Sequence, residues 1–317
     1  MGGPADRYSS RPVHIVFVGA GAVGCFYASR LHHPRHDVHT TLIARSNFKV
    51  LADHGVRLET HAFGDYTFRP HAVFPSVTAA AAAGSSAGAH TWDLIVVTTK
   101  ALPDQADDSA LIAPLLGPRS CIVLIQNGVG VEEPYRSRFP DTPIVSAAGS
   151  DAANQLADWW SRLGGLRDAV VLDEVGLQTV RWHKLCINAA MNPSAVLSGG
   201  RGNAAMARDP ELRAHLGGVM AEIWAAAPRL LGRPFPEDLA DPDRILQSSE
   251  RNTAGKPSML LDWEAGRPLE LEVILGNPVR IARAKGVELP RMQTLYALLK
   301  SAQAMREHAR TAAKGKL

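Results

Sequence analysis

The residues best placed to do chemistry come early in the chain. Gly19-Ala20-Gly21-Ala22-Val23-Gly24 has G-x-G-x-x-G spacing. In such a loop Gly19 permits a tight turn, Gly21 lets the backbone approach a pyrophosphate, and Gly24 lets the following helix pack closely on a strand. The helix N-terminus, at Ala22 and Val23, then presents free N–H groups and a positive dipole end to the phosphates. About 20 residues past the loop, a site that takes NAD usually carries Asp or Glu for the ribose 2′-hydroxyl. This chain has Ala44-Arg45-Ser46 instead. Arg45 suits a 2′-phosphate, with Ser46 and Lys49 as helpers, so NADPH is the expected cofactor. A second constellation is Lys184, Asn188 and Asn192, whose i, i+4, i+8 spacing places them on one helix face. Apolar residues fill the positions between them. An unpaired buried polar group costs about 1–3 kcal/mol. The stripe therefore faces a polar ligand in a cleft, a structural polar network, or solvent.

The elements that must carry these residues follow from pattern. Val13 to Val18 (VHIVFV) is a β-branched apolar run ending in Gly and reads as a buried parallel strand. Ala22 to Leu31 reads as a helix and Asp37 to Ala44 as a second strand, which makes a βαβ unit. Asp93 to Thr98 and Ser120 to Gln126 are further buried strands, so a doubly wound parallel sheet is expected. The Ala/Gly/Ser-rich stretch from Thr78 to Ala89 is either a helix with a loose end or a surface loop. From Val180 onward helical spacing dominates: Trp182–Ala190, Pro210–Leu231, Ser258–Glu264, Leu269–Lys285 and Arg291–Arg310, with Pro193 kinking or ending the first. The expected fold is α/β: an N-terminal Rossmann-type doubly wound parallel sheet with a second, all-helical C-terminal domain. The expected divisions are a disordered N-terminus at 1–12, a dinucleotide domain at 13–179, a helical substrate domain at 180–310 and a tail at 311–317.

Composition narrows the partners. The chain has 317 residues, 46% of them hydrophobic, which suits about two domains with sizeable cores. Its 34 basic and 31 acidic side chains leave a formal charge of +3, which signals neither a nucleic-acid partner nor a membrane surface. No run of about 18 apolar residues suggests a transmembrane helix. Met1 to Pro12 lacks the apolar run of a signal peptide, so the expected compartment is cytoplasmic. Cys25, Cys121 and Cys186 are widely spaced among apolar neighbours and read as reduced core thiols. His14, His32, His33, His36 and His39 show no ligand spacing and read as surface histidines, so no metal is expected. Trp159, Trp160 and His183 read as packing residues.

Taken in order, GAGAVG (19–24), TTKA (98–101), QNGVG (126–130), WHKLCINAAMNP (182–193), KPSMLLD (256–262) and ELEVILGN (270–277) resemble the ketopantoate reductase (2-dehydropantoate 2-reductase) family. The resemblance implies a Rossmann domain, a helical domain and a catalytic cleft between them. It implies that Lys100 and Asn127 line the nicotinamide side, that Lys184 is the catalytic lysine, and that Glu270 is the acid near the substrate hydroxyl. Asn188, Asn192 and Ser258 match polar residues that contact substrate. The chemistry fits: as hydride reaches a carbonyl carbon, a lysine ammonium can stabilise the oxyanion and donate the proton.

Three departures accompany the resemblance. Family members usually run from the strand near Ile144 through a hairpin of about two strands, whereas here Ser150–Asn154 passes directly to Leu156–Leu163. A position that is usually Asn is Gly255, so a substrate amide contact is expected to be lost. The acid after Glu270 is Glu272, longer than the usual Asp. The leading expectation is NADPH-dependent reduction of a small 2-keto acid in a possible homodimer, with ketopantoate to pantoate, a step of pantothenate biosynthesis, as the default. The alternatives are a related reductase of another carbonyl or imine, and a non-catalytic NADP-binding sensor.

Overall fold

The computed structural model describes residues 11–86, 92–145, 151–167 and 169–314. Most of the expected disordered N-terminus, the loose end at 87–89 and the last residues of the tail lie outside the described residues. The chain divides into two compact units. The first comprises residues 1–100, 107–126 and 132–174; the second comprises 101–106, 127–131 and 175–317.

The first unit is built on β1 (Val13–Val18), α1 (Ala22–Leu31), β2 (Val38–Ile43) and α2 (Phe48–His54). An antiparallel hairpin follows, β3 (Val56–Thr60) and β4 (Gly64–Phe68), then β5 (Ala72–Phe74) and α3 (Val77–Ser86). The unit continues through β6 (Leu94–Val97), α4 (Asp108–Ile112), β7 (Cys121–Leu124), α5 (Glu133–Arg138), β8 (Ile144–Val145) and α6 (Asp151–Asp158). The main sheet has six strands in the order β5-β2-β1-β6-β7-β8, all parallel. The order reverses direction beside β1, the switch point at which doubly wound sheets bind ligands. Both faces are covered: Ile15, Phe17 and Leu42 pack on one side, Val16, Val18 and Ile95 on the other. This double burial explains the unbroken apolar runs of β6 and β7.

The β3–β4 hairpin escapes the sequence reading because its alternation is shallow, with only Val56, Leu58 and Phe68 buried. Among the described residues no strand lies between Val145 and Glu174, so the edge of the sheet stops at β8. A short π-helical turn, Trp159–Leu163, occupies part of that stretch. Trp159 is buried there and Trp160 packs edge-on against Tyr27. The parallel register pairs His14 with His39, stacking their rings 5.6 Å apart, and His71 lies 4.9 Å from His39. His14, His32 and His39, expected as surface histidines that no spacing brings together, are instead partly buried and gathered with His71 by the strand register. Burial and neighbouring histidines push the His32 pKa down to about 4.

The second unit is helical among its described residues. Its frame is α7 (Glu174–Leu197), α8 (Asn203–Arg208), α9 (Pro210–Leu231), α10 (Pro242–Arg251), α11 (Ser258–Glu264), α12 (Asn277–Ala284) and α13 (Pro290–Lys314). Three readings change. Helix α7 starts eight residues before Trp182, and Pro193 does not end it. Pro193 is buried within the helix, where surrounding packing offsets the backbone hydrogen bond it cannot donate. The span 269–285 is helical without a break from 271 to 284, but it takes π-helical form at Glu272–Gly276 before α12. The segment from 311, read as a tail, stays helical to Lys314. Leu185, Met206, Leu216, Ile223, Leu275 and Met292 form part of one core. All three cysteines are free and buried, and burial pushes the thiol of Cys186 up to about 12. Among the described residues no helix is long and apolar enough to cross a membrane.

The π-helical turn is pinned through Glu272. Its carboxylate accepts hydrogen bonds from Tyr296 Oη at 2.5 Å, Lys300 Nζ at 2.9 Å and Arg280 Nη2 at 2.6 Å. Burial alone would raise its pKa, but these three donors outweigh burial and hold it at about 2. A carboxylate so depressed stabilises the fold above its unfolded pKa of about 4.3 and loses that contribution as pH falls toward the folded value. Glu272→Gln is expected to cost about 1–2 kcal/mol at pH 7. The gap from wild type should narrow by pH 3, and urea unfolding at the two pH values measures both.

Candidate active site

The dinucleotide loop has the geometry its glycines predict. Gly19 adopts φ +112°, a conformation that disfavours any residue with a Cβ. A Cβ at Gly24 would collide with the Gly19 carbonyl, so α1 approaches the loop closely only because that atom is missing. At Gly21 a Cβ would meet nothing within 4 Å. That open space lies at the start of α1, where Gly21 is the N-cap and no side chain caps the helix. The N–H groups around Ala22 and Val23 thus suit a pyrophosphate.

Two side chains that sequence reasoning missed hold the loop in place. Thr98 Oγ1 donates to the Gly19 carbonyl at 2.6 Å, and Asn47 Nδ2 donates to the Ala20 carbonyl at 3.0 Å. Thr98 lies in the noticed TTKA segment, but nothing in the sequence links Asn47 to residue 20. Arg45 is exposed directly past β2, with Ser46 and Lys49 also exposed. Lys100 is exposed three residues past β6. Close by in chain order, Asp108 accepts from Thr99 Oγ1 at 2.8 Å and from Gln126 Nε2 at 2.9 Å. Burial raises the Asp108 pKa; these two hydrogen bonds and the charge of Arg45 oppose the rise.

In the second unit, the structure brings Lys184, Asn127 and Glu270 together. Lys184 Nζ donates to Asn127 Oδ1 at 2.9 Å, and Asn127 Nδ2 donates to Glu270 Oε2 at 3.2 Å. Glu270 is only 7% exposed, and its other oxygen accepts from the Ala101 backbone N–H at 3.2 Å. Asn127, read from sequence as a residue lining the nicotinamide side, is therefore the amide that links the lysine to the acid. Lys184 keeps accessible surface, yet the protein crowded around it lowers its pKa. The nearby charge of Arg181 adds to that fall and Glu270 opposes it.

The short segment carrying Asn127 is itself locked. Gly128 takes φ +94°, and a Cβ there would overlap Val273. Val129 N–H donates to the Val273 carbonyl at 3.0 Å, and Asn277 Nδ2 donates to the Val129 carbonyl at 3.0 Å. Arg181 Nη1 reaches the Gly128 carbonyl at 2.9 Å.

The remaining candidates differ in kind. Asn188 is half-buried one turn after Lys184. Asn192 is buried, and its side-chain oxygen accepts from Met259 N–H at 3.3 Å, which caps the start of α11. Ser258 is exposed at the first position of that helix. His183 is a packing residue: its Nε2 pairs with the Ala240 carbonyl at 2.8 Å and its ring meets Trp224 and Phe235. At Gly255 a Cβ would collide with the Asn252 amide, which occupies that space.

The family profile described as Ketopantoate reductase PanE/ApbA matches residues 15–176, and Ketopantoate reductase PanE/ApbA C terminal matches residues 176–303. An uncharacterized protein of Saccharomyces cerevisiae is 31% identical, over 92% of this chain and 93% of its own length. A 2-dehydropantoate 2-reductase of Nostoc is 26% identical, over 89% of this chain and 93% of its own. The solved structure of 2-dehydropantoate 2-reductase from Methylococcus capsulatus has a TM-score of 0.77 at 29% identity, covering 93% of this chain and 98% of its own. The chain belongs to the ketopantoate reductase family, a family of oxidoreductases.

Proposed function

We propose that this protein reduces a small 2-keto acid to the 2-hydroxy acid with NADPH, ketopantoate to pantoate being the default pair. The observation that carries the reading is the Lys184–Asn127–Glu270 chain of hydrogen bonds. NADPH, when bound, supplies the hydride. The Lys184 ammonium hydrogen-bonds the carbonyl oxygen, offsets the negative charge that grows there, and donates a proton to it. Its lowered pKa makes that donation easier. Glu270, through Asn127, keeps the lysine oriented and lies where it can accept a hydrogen bond from the new hydroxyl. Asn188 and Ser258 hold the substrate's polar groups without adding charge, while Asn192 braces α11 beneath Ser258.

On the cofactor side, the Gly21 opening takes the pyrophosphate and Arg45 pairs with the 2′-phosphate, with Ser46 and Lys49 beside it. Lys100 lines the nicotinamide side. A homodimer belongs to this reading, as in the dimeric ketopantoate reductase of Staphylococcus aureus, which shares the fold at a TM-score of 0.66 and 22% identity. A carbonyl substrate other than ketopantoate is the second reading. The Asn252 amide standing where a side chain at 255 would be, and the absence of described strands between Val145 and Glu174, favour it.

Lys184→Ala should lower kcat for keto-acid reduction by about 10²–10⁴-fold, the range of a lost general acid. In wild type, reduction needs the charged lysine, so kcat/KM should fall as pH rises, with a midpoint below the ordinary lysine range. A pH profile with no alkaline limb, or an unchanged rate in the alanine variant, would remove Lys184 from the chemistry. Arg45→Ala should raise KM for NADPH about tenfold or more, as expected for a lost charge-assisted hydrogen bond. It should leave KM for NADH nearly unaltered, and steady-state kinetics with the two cofactors compares them directly.

A further inference from the structure

A cavity of about 370 Å³ borders Lys184 on the second unit. That volume lies within the range of small-molecule sites, about 300–1,000 Å³. Its wall divides by chemistry. Ile187, Ala240 and Ile245 offer an apolar strip, and Asn203, Ser248 and Asn252 offer amides and a hydroxyl. Two cations border it, Lys184 and Arg244, and none of the described lining residues is acidic.

Three features mark this wall as a recognition surface. Among the described residues the Arg244 guanidinium has no carboxylate partner, and its one hydrogen bond is a long 3.5 Å contact to the Leu239 carbonyl. Its guanidinium retains donors that a carboxylate or phosphate would satisfy in a fork. The start of helix α10 is fixed by Asp241, whose carboxylate accepts from the Arg244 backbone N–H at 2.8 Å. Arg244 is therefore presented from a fixed backbone. At Gly255 the Asn252 amide occupies the space that a Cβ would enter, which places it at the cavity wall.

We propose that this cavity binds the far end of a substrate carrying a second anionic group. The substrate class is then a 2-keto acid with a short aliphatic spacer and a terminal carboxylate or phosphate. Lys184 serves the keto end, Ile187 and Ile245 cover the spacer, and Arg244 with Asn252 receives the distal anion. A substrate ending in a neutral hydroxyl would leave the Arg244 guanidinium without a counter-charge. The proposal rests on the keto-acid reductase reading for the reaction and takes its second substrate reading, a carbonyl other than ketopantoate; the anion pocket itself can be tested without turnover.

The test compares kcat/KM for 2-oxoglutarate, 2-oxovalerate and ketopantoate with NADPH, and adds phosphohydroxypyruvate to separate a terminal phosphate from a terminal carboxylate. Wild type should prefer one of the two doubly anionic substrates over both neutral-ended acids by at least tenfold. Arg244→Ala should shrink that preference about tenfold or more, as expected for a lost charge-assisted contact. Asn252→Asp should shrink it too, by repelling the distal anion. Both residues are exposed, and a thermal melt checks that each variant is folded. Preference for a neutral-ended acid, or a preference unaltered in both variants, overturns the proposal. If no keto acid oxidises NADPH, the reductase reading fails on its own. Calorimetric binding of 2-oxoglutarate and phosphohydroxypyruvate then decides the pocket: tenfold weaker binding of either in Arg244→Ala supports it, and no binding or equal affinity overturns it.

Discussion

The close approach of Gly128 to Val273 is the constraint on which the arrangement around Lys184 depends. With a positive φ and no Cβ, residue 128 lets the backbone of 127–131 lie against the π-helical turn. The hydrogen bonds from Val129 to Val273 and from Asn277 to Val129 then hold it there. Asn127 is delivered by that contact to a point between Lys184 and Glu270. An amide suits this position because it has both a carbonyl that accepts from an ammonium and an N–H that donates to a carboxylate. A direct lysine–glutamate pair would bind the ammonium more firmly and raise its pKa. The bridged arrangement lets crowding win, so the lysine pKa falls.

The π-helical turn is equally a product of its surroundings. Glu272 draws Arg280, Tyr296 and Lys300 onto one buried carboxylate, which ties the turn to α12 and α13. Glu270 sits two residues earlier, so whatever fixes Glu272 also limits where Glu270 can move.

The dinucleotide end works by a different principle. There the absence of side chains matters: open space at Gly21, a forbidden Cβ at Gly24, an uncapped helix start. Thr98 and Asn47 hold the Gly19 and Ala20 carbonyls so that the loop keeps its shape before any ligand arrives. Preorganisation of this kind reduces the ordering cost of binding.

The amino-acid pattern alone specified the parallel sheet, the glycine loop and the helical second unit, because each depends on local pattern. Unbroken β-branched runs suit a sheet covered on both faces, and the three glycines of G-x-G-x-x-G between strand and helix serve the turn, the ligand approach and the helix packing. It also placed Lys184, Asn188 and Asn192 on one helix, since 3.6-residue periodicity is a local property. What it left to tertiary structure depends on partners far apart in the chain. The Asn127 bridge spans 57 residues to Lys184 and 143 to Glu270. The capping of α11 by Asn192, the meeting of His14 with His39, and the filling of space at Gly255 by Asn252 are likewise invisible in spacing. Pro193 shows the same division: its local preference ends helices, yet burial within α7 carries the helix through it to Leu197. Local sterics choose an element, whereas polar partners are chosen by whatever chain arrives beside them, because a buried donor must find an acceptor wherever the fold supplies one.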